Sequence, residues 1–283
     1  MPLYHTSAFI GCEAEYDEAR VVLFGAPFDG TCSYRPGSRF APAKIRPDSY
    51  GLETYSLFMD KDLADSGIHD AGDLELPFGD TAWALQMIED YAEKVFTDGK
   101  KPLMIGGEHL VSLPVIKAAA RRYPDLHILH FDAHTDLRTD YMGVSLSHAS
   151  VIRKAWDILG DGRIFQFGIR SGLKEEFHWA MQEGHTLLCP FDCSRLQEAA
   201  ALIGGAPVYL TIDVDVLDPS LLPGTGTPEP GGLTFREMLA ALKTVSGLNL
   251  VGADVVELAP DYDPTGVSTA VTSKLLREVM LTL

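Results

Sequence analysis

Short apolar runs alternate with longer stretches of helical period along the whole chain. The runs Arg20–Phe24, Leu103–Ile105, His127–Phe131, Arg163–Phe167, Thr186–Cys189, Val208–Ile212 and Val251–Val255 each read as a buried strand, with a weaker one near Ile68. Between them, Thr81–Phe96 places Leu85, Ile88, Ala92 and Val95 near a 3.6-residue period. Leu110–Arg122, Ser147–Ile158, Leu173–Gln182, Ser194–Ile203, Phe235–Val245 and Val267–Leu281 also read as helices. Strand–helix alternation of this kind predicts an α/β fold, a parallel sheet of about eight strands covered by helices on both faces. No linker, repeat or low-complexity tract interrupts it, so residues 1–283 read as one domain. Two long stretches without period, Gly25–Ser49 and Asp218–Gly232, follow strands. Long loops in compact domains are usually functional, and four prolines stiffen the second into a fixed wall.

Charge narrows the partners. Against 23 basic residues stand 40 acidic ones, a net charge of −17 that argues against nucleic acid and favours steering of cations. Met1-Pro2-Leu3-Tyr4-His5 lacks the basic start of a signal peptide, and no run of apolar residues is long enough to span a membrane. Cys12, Cys32, Cys189 and Cys193 show neither zinc-type spacing nor a disulfide framework. They read as reduced thiols, and the chain as cytoplasmic.

The candidate chemistry lies directly after the strands. Gly106-Gly107-Glu108-His109 follows one run, Asp132-Ala133-His134-Thr135-Asp136 a second and Asp213-Val214-Asp215 a third. Side chains two apart on an extended chain point the same way, so Asp132, His134 and Asp136 form one row and Asp213 with Asp215 another. Four carboxylates and two imidazoles are more acid than a single zinc needs. They suit a pair of harder divalent ions bridged by carboxylates. Parallel sheets bind ligands beyond the carboxyl ends of their strands, which is where all three clusters fall.

Gly-Gly-Glu-His, Phe-Asp-Ala-His-Thr-Asp, Ile-Asp-Val-Asp-Val-Leu-Asp-Pro and Asp-Val-Val-Glu-Leu-Ala-Pro together resemble the signature segments of the arginase/agmatinase (ureohydrolase) family, in the family's order from about Gly25 to the C-terminus. The resemblance implies a three-layer α/β/α fold, two Mn2+ ions per chain and hydrolysis of a guanidino group to urea and an amine. One ion would be held by His109, Asp132, Asp136 and Asp213, the other by His134, Asp132, Asp213 and Asp215. His148 matches the family's proton-shuttle histidine, Glu257 the glutamate that grips the guanidinium, and Thr227 a threonine lining the same end of the pocket. Family members are commonly trimers or hexamers, which implies a homotrimer or homohexamer here. Guanidinium is resonance-stabilised and cationic, and two divalent ions lower the pKa of a shared water from about 15.7 toward neutrality. Asp136 would orient that water and relay its proton to His148, the natural donor to the leaving amine.

Substrate choice is read from departures. Arginases place an asparagine where this chain has Arg138, and an acidic residue after Gly-Leu-Arg where it has Gly168-Ile169-Arg170-Ser171-Gly172-Leu173. A bound amino-acid head group would lack those partners, which disfavours arginine. Agmatine, hydrolysed to putrescine and urea, is the expected substrate. Guanidinobutanoate and N1-aminopropylagmatine are the alternatives. An inward Arg138 would favour the carboxylate of guanidinobutanoate, whereas an Arg138 paired with Asp140 and turned outward would not. Intact His148 and Glu257 speak against a relative that binds metal without catalysis.

Overall fold

In the computed structural model, which describes residues 3–4 and 7–283, the strands in chain order are β1 (Leu3–Tyr4), β2 (Val21–Ala26), β3 (Tyr55–Ser56), β4 (Lys61–Asp62), β5 (Ile68–Leu74), β6 (Lys101–Gly106), β7 (His127–Phe131), β8 (Ile164–Ile169), β9 (Leu187–Pro190), β10 (Pro207–Asp213) and β11 (Asn249–Val256). Nine of them form one sheet in the order β1-β5-β2-β6-β11-β10-β7-β8-β9, and β3 with β4 forms a small separate hairpin. Eight sheet strands run parallel, and β1 is the antiparallel edge. The segment Met1–His5, read above for a signal sequence, lies largely outside the described residues. Among the described residues no helix is long and apolar enough to cross a membrane.

The helices are α1 (Ala41–Ser49), α2 (Thr81–Thr97), α3 (Ser112–Arg122), α4 (Val151–Leu159), α5 (Lys174–Phe177), α6 (Leu196–Ile203), α7 (Phe235–Val245) and α8 (Val267–Thr282). The two-residue period of the strands divides the core into two layers. Val21 and Leu23 of β2 belong to the same buried layer as Ile45 of α1, Leu276 of α8 and Leu242 of α7 on one face. Val22 and Phe24 belong to the same layer as Ile88 of α2, Ile116 of α3 and Ile152 of α4 on the other. The result is the expected three-layer α/β/α sandwich, buried on both faces of its parallel strands.

Three expectations need correction. The second half of Gly25–Ser49 is not irregular: a 3₁₀ turn at Ser38–Phe40 leads into α1. Its prolines disguise the helix, yet Pro42 sits in the first turn, where its missing N–H costs nothing. Ser147–Ile158 is not one helix, because His148–Ser150 forms a 3₁₀ turn before α4. In Leu173–Gln182, α5 passes into a π turn over His178–Gln182.

Candidate metal centre

Four neighbouring strands in the middle of the sheet, β6, β11, β10 and β7, deliver the site from their carboxyl ends. His109 follows β6, Asp132, His134 and Asp136 follow β7, Asp213 ends β10, and Glu257 follows β11. Gly107 permits the first turn: a Cβ there would lie 1.9 Å from the carbonyl oxygen of Phe28. Asp136 and Glu257 hold φ values of 51° and 67°, left-handed conformations that non-glycine residues seldom adopt. Backbone strain of this kind gathers at functional sites.

The imidazole of His109 is oriented from behind. Thr211 donates its hydroxyl proton to Asp254 Oδ1 at 2.6 Å, so its oxygen is left to accept from His109 Nε2 at 2.9 Å. Nδ1 of His109 therefore faces inward as a lone pair. It lies 3.1 Å from Asp132 Oδ2, 3.2 Å from Asp136 Oδ2 and 3.7 Å from Asp213 Oδ2, and it is a buried nitrogen with no hydrogen-bond partner. On the neighbouring side His134 Nδ1 lies 3.0 Å from Asp215 Oδ2 and 3.5 Å from Asp132 Oδ1. The ligand atoms of His109, His130, Asp132 and Asp136 lie within 4.8 Å of one another, as do those of Asp132, His134 and Asp215.

This set fits divalent cations. A lone pair turned toward carboxylate oxygens is repulsive unless a cation or a proton lies between them. Ligands held about 2.1 Å from one ion stand about 3 Å apart, as these do. Buried carboxylates otherwise take up protons: burial pushes Asp213 well above the usual carboxylate range, and the charges of Asp215 and Asp132 push it further. Burial lowers His109, but Asp132 and Asp136, whose oxygens and charges favour a proton on Nδ1 when no cation lies between, outweigh it and carry the imidazole well above its ordinary value. Two divalent ions would match the four aspartate charges.

His130, absent from the expected ligand set, supports Asp132 from within strand β7. Thr186 donates to Gln166 Oε1 at 3.0 Å, which aims the amide nitrogen at His130 Nδ1 (3.1 Å) and the Thr135 carbonyl (2.9 Å). Nδ1 accepts, so Nε2 carries the proton and donates to Asp132 Oδ2 at 2.8 Å. His130 lies two residues before Asp132 on an extended strand, a same-face signal that was available in the sequence.

A cavity of about 270 Å³ opens over the cluster, lined by Asp136, Asp213, His148, Thr227, Glu257, Arg138, Tyr141 and Glu176 among others. The amide of His109 donates to Glu257 Oε1 at 2.7 Å, and the amide of Glu257 to the Gly107 carbonyl at 2.8 Å. Burial pushes Glu257 well above the usual carboxylate range, with the charge of Glu108 adding to it. Burial depresses His148 below its ordinary value. Thr227 reaches Asp215 Oδ2 at 3.4 Å. The loop carrying it is tied down by Arg170, whose Nη2 donates to the carbonyls of Asp215 and Glu229, each at 2.7 Å. The nine residues expected in the site thus lie together: His134, Asp136, His148, Asp213, Thr227 and Glu257 line the cavity, and His109, Asp132 and Asp215 adjoin them.

Arg138 does not pair with Asp140. Its guanidinium lies over the Tyr141 ring, 4.5 Å from the centroid, with Nε 4.0 Å from Glu176 Oε1, on the cavity wall. Nor is the wall beyond Gly168-Ile169-Arg170 without an acid. Glu176, three residues past Leu173, is buried, and its Oε2 accepts from the Leu173 amide at 2.5 Å. The turn entering α5 folds this carboxylate back toward the cavity.

Residues 19–282 match the model of the Arginase family. The chain belongs to the arginase family. An agmatinase of Bacillus subtilis (strain 168) is 50% identical over 280 residues, covering 98% of this chain and 97% of the relative. A guanidinobutyrase of Pseudomonas aeruginosa is 32% identical, covering 95% and 88%. The crystal structure of a putative agmatinase from Clostridium difficile superposes with a TM-score of 0.93 at 51% identity, covering 95% of this chain and 98% of that one.

Proposed function

We propose that the protein hydrolyses agmatine to putrescine and urea, and the observation that carries this is a cavity acidic at both ends. Agmatine is a dication. Glu257 at the floor presents a buried carboxylate to the guanidinium. Glu176 on the wall presents a second to the ammonium at the other end of the chain. His109, His134 and the four aspartates would hold two divalent cations, manganese on the hardness of the donors, which would acidify a bound water. The chain's own groups do the rest. Thr227 lines the guanidinium end. Asp136 accepts the water's proton as the water oxygen bonds the guanidino carbon, and His148 passes that proton to the leaving nitrogen as the carbon–nitrogen bond breaks. That nitrogen departs as the amine of putrescine, and the guanidino carbon leaves as urea. A homotrimer or homohexamer, carried from the family resemblance, completes the proposal.

Guanidinobutanoate is the second reading, favoured by Arg138 on the same wall. Its contact with Tyr141 and its approach to Glu176 keep that charge partly engaged. Urea release by manganese-loaded protein on agmatine, arginine and guanidinobutanoate decides. Agmatine should give the highest kcat/KM. Glu176→Gln should lower kcat/KM for agmatine about tenfold or more, mainly through KM, because a hydrogen bond to a charged group contributes about 1.5–3 kcal/mol. Turnover of guanidinobutanoate should not fall. A higher kcat/KM for guanidinobutanoate than for agmatine would overturn the assignment and make Arg138 the carboxylate clamp.

A further inference from the structure

Glu108 is a fully buried carboxylate that no metal ligand or guanidinium contact accounts for. Its two oxygens both turn to Thr31, accepting from the amide at 2.8 Å and from the hydroxyl at 2.5 Å. The Thr31 hydroxyl has one proton and gives it to Glu108, so its oxygen can only accept from other groups. It accepts from the His148 amide at 3.1 Å and lies 3.4 Å from His148 Nδ1. Ser33 Oγ lies 3.3 Å from Nε2, and the Tyr141 ring meets the imidazole edge-on at 86°.

We infer that Glu108 and Thr31 are positioning residues that hold His148 in place and fix its neutral tautomer. An acceptor-only oxygen at Nδ1 requires the proton there. Nε2 is then left with its lone pair, facing the Ser33 hydroxyl and the cavity. Exchanging the proton between the ring nitrogens would put two lone pairs against each other at Thr31.

The turn that carries Glu108 gives this contact its setting. The amides of Gly107 and Glu108 donate to the carbonyls of Ala26 and Phe28, at 2.9 Å and 2.8 Å, which seats the turn on the loop after β2 and brings Thr31 within reach. The next residue, His109, faces the aspartate cluster, and its amide holds Glu257. One four-residue turn, Gly106–His109, therefore sets an imidazole of the cluster, the guanidinium-facing carboxylate and the proton-carrying histidine relative to one another.

The inference rests on the reading of His148 as proton carrier, and the experiment separates the two. In the manganese-loaded full chain, Thr31→Val should lower kcat for agmatine by about 10- to 100-fold, the scale of a small misplacement of a reacting group. KM and manganese content per chain should stay unchanged. Thr31→Ser, which keeps the hydroxyl, should hold kcat within about twofold of wild type. Imidazole added to the buffer should raise the turnover of Thr31→Val and of His148→Ala alike. If His148→Ala turns over normally, both readings fall. If His148→Ala is slow while Thr31→Val is not, or if Thr31→Ser is as slow as Thr31→Val, the positioning role alone is overturned.

Discussion

At the scale of single residues, the groups behind the acidic cluster decide whether it can hold its ions. Thr211 touches neither substrate nor cluster carboxylate, yet it turns His109 by accepting from Nε2 while donating to Asp254. Thr211→Val keeps the volume and removes that exchange. The imidazole N–H is then unpaired in a buried setting, and Asp254 retains only such donors as Tyr209, at 2.6 Å. Manganese affinity should fall by about 10- to 100-fold, as it commonly does when an outer partner of a ligating histidine is lost. Titration calorimetry reads it. An unchanged dissociation constant would mean that packing alone aligns His109. The inner residues of the site were legible because Asp-x-His-x-Asp and Asp-x-Asp on extended chain put their side chains on one face. Thr211, Asp254 and Gln166 were not legible, because each acts through a partner distant in sequence. Glu176 was not legible for a local reason: a carboxylate three residues past Leu173 reaches the cavity only because the turn entering α5 folds it back.

At the scale of elements, what the sequence hid is explained by what pairs inside the protein. Strand β5 reads poorly because Asp70 and Asp73 interrupt its apolar pattern, yet both are buried. Arg46 of α1 neutralises them. Its Nε and Nη2 donate to Asp70 at 2.8 Å and 3.0 Å, and its Nη1 donates to Asp73. The same residue, with the prolines, hid α1, since an arginine on the inward side breaks the apolar stripe a helix is expected to show. Arg46→Ala removes the cation that two buried carboxylates share, and such changes cost about 3–5 kcal/mol. Urea unfolding at neutral pH should show a loss of that size with the m-value unchanged. A loss below about 1 kcal/mol would mean that the arginine contributes no more than an exposed pair does. The seven strands and seven helices with clean apolar patterns were legible in position. Missed were the short edge strand β1, the β3–β4 hairpin and α1, whose order comes from pairing partners rather than from local pattern.

At the scale of the whole molecule, the fold gathers charges that the unfolded chain keeps apart. Four aspartates close on one another above the middle of the sheet, in a chain whose net charge is already −17. The donors beside them in sequence, neutral His130 and the amides of His134 and Asp215, carry no net charge to offset that repulsion, and the imidazoles of His109 and His134 can do so only by taking up protons. Cation binding and folding are therefore coupled, since the unfolded chain has no assembled site for the ions. A ligand present at about 1,000 times its dissociation constant stabilises the folded state by about 4 kcal/mol. For a chain of this size each kcal/mol moves Tm by roughly 2–4 °C. Removing manganese with a chelator should therefore lower Tm by on the order of 10 °C, and returning manganese in excess should restore it. Magnesium, which binds such sites with several of its waters retained, should restore less. The same repulsion decides how a variant should behave. Asp213→Asn removes one of the clustered charges, so its metal-free form should melt higher than metal-free wild type, while its gain from manganese should be smaller. A metal-free wild type that melts within about 2 °C of the loaded protein, less than one kcal/mol on this scale, would show that the sheet tolerates the four aspartates without their counter-ions.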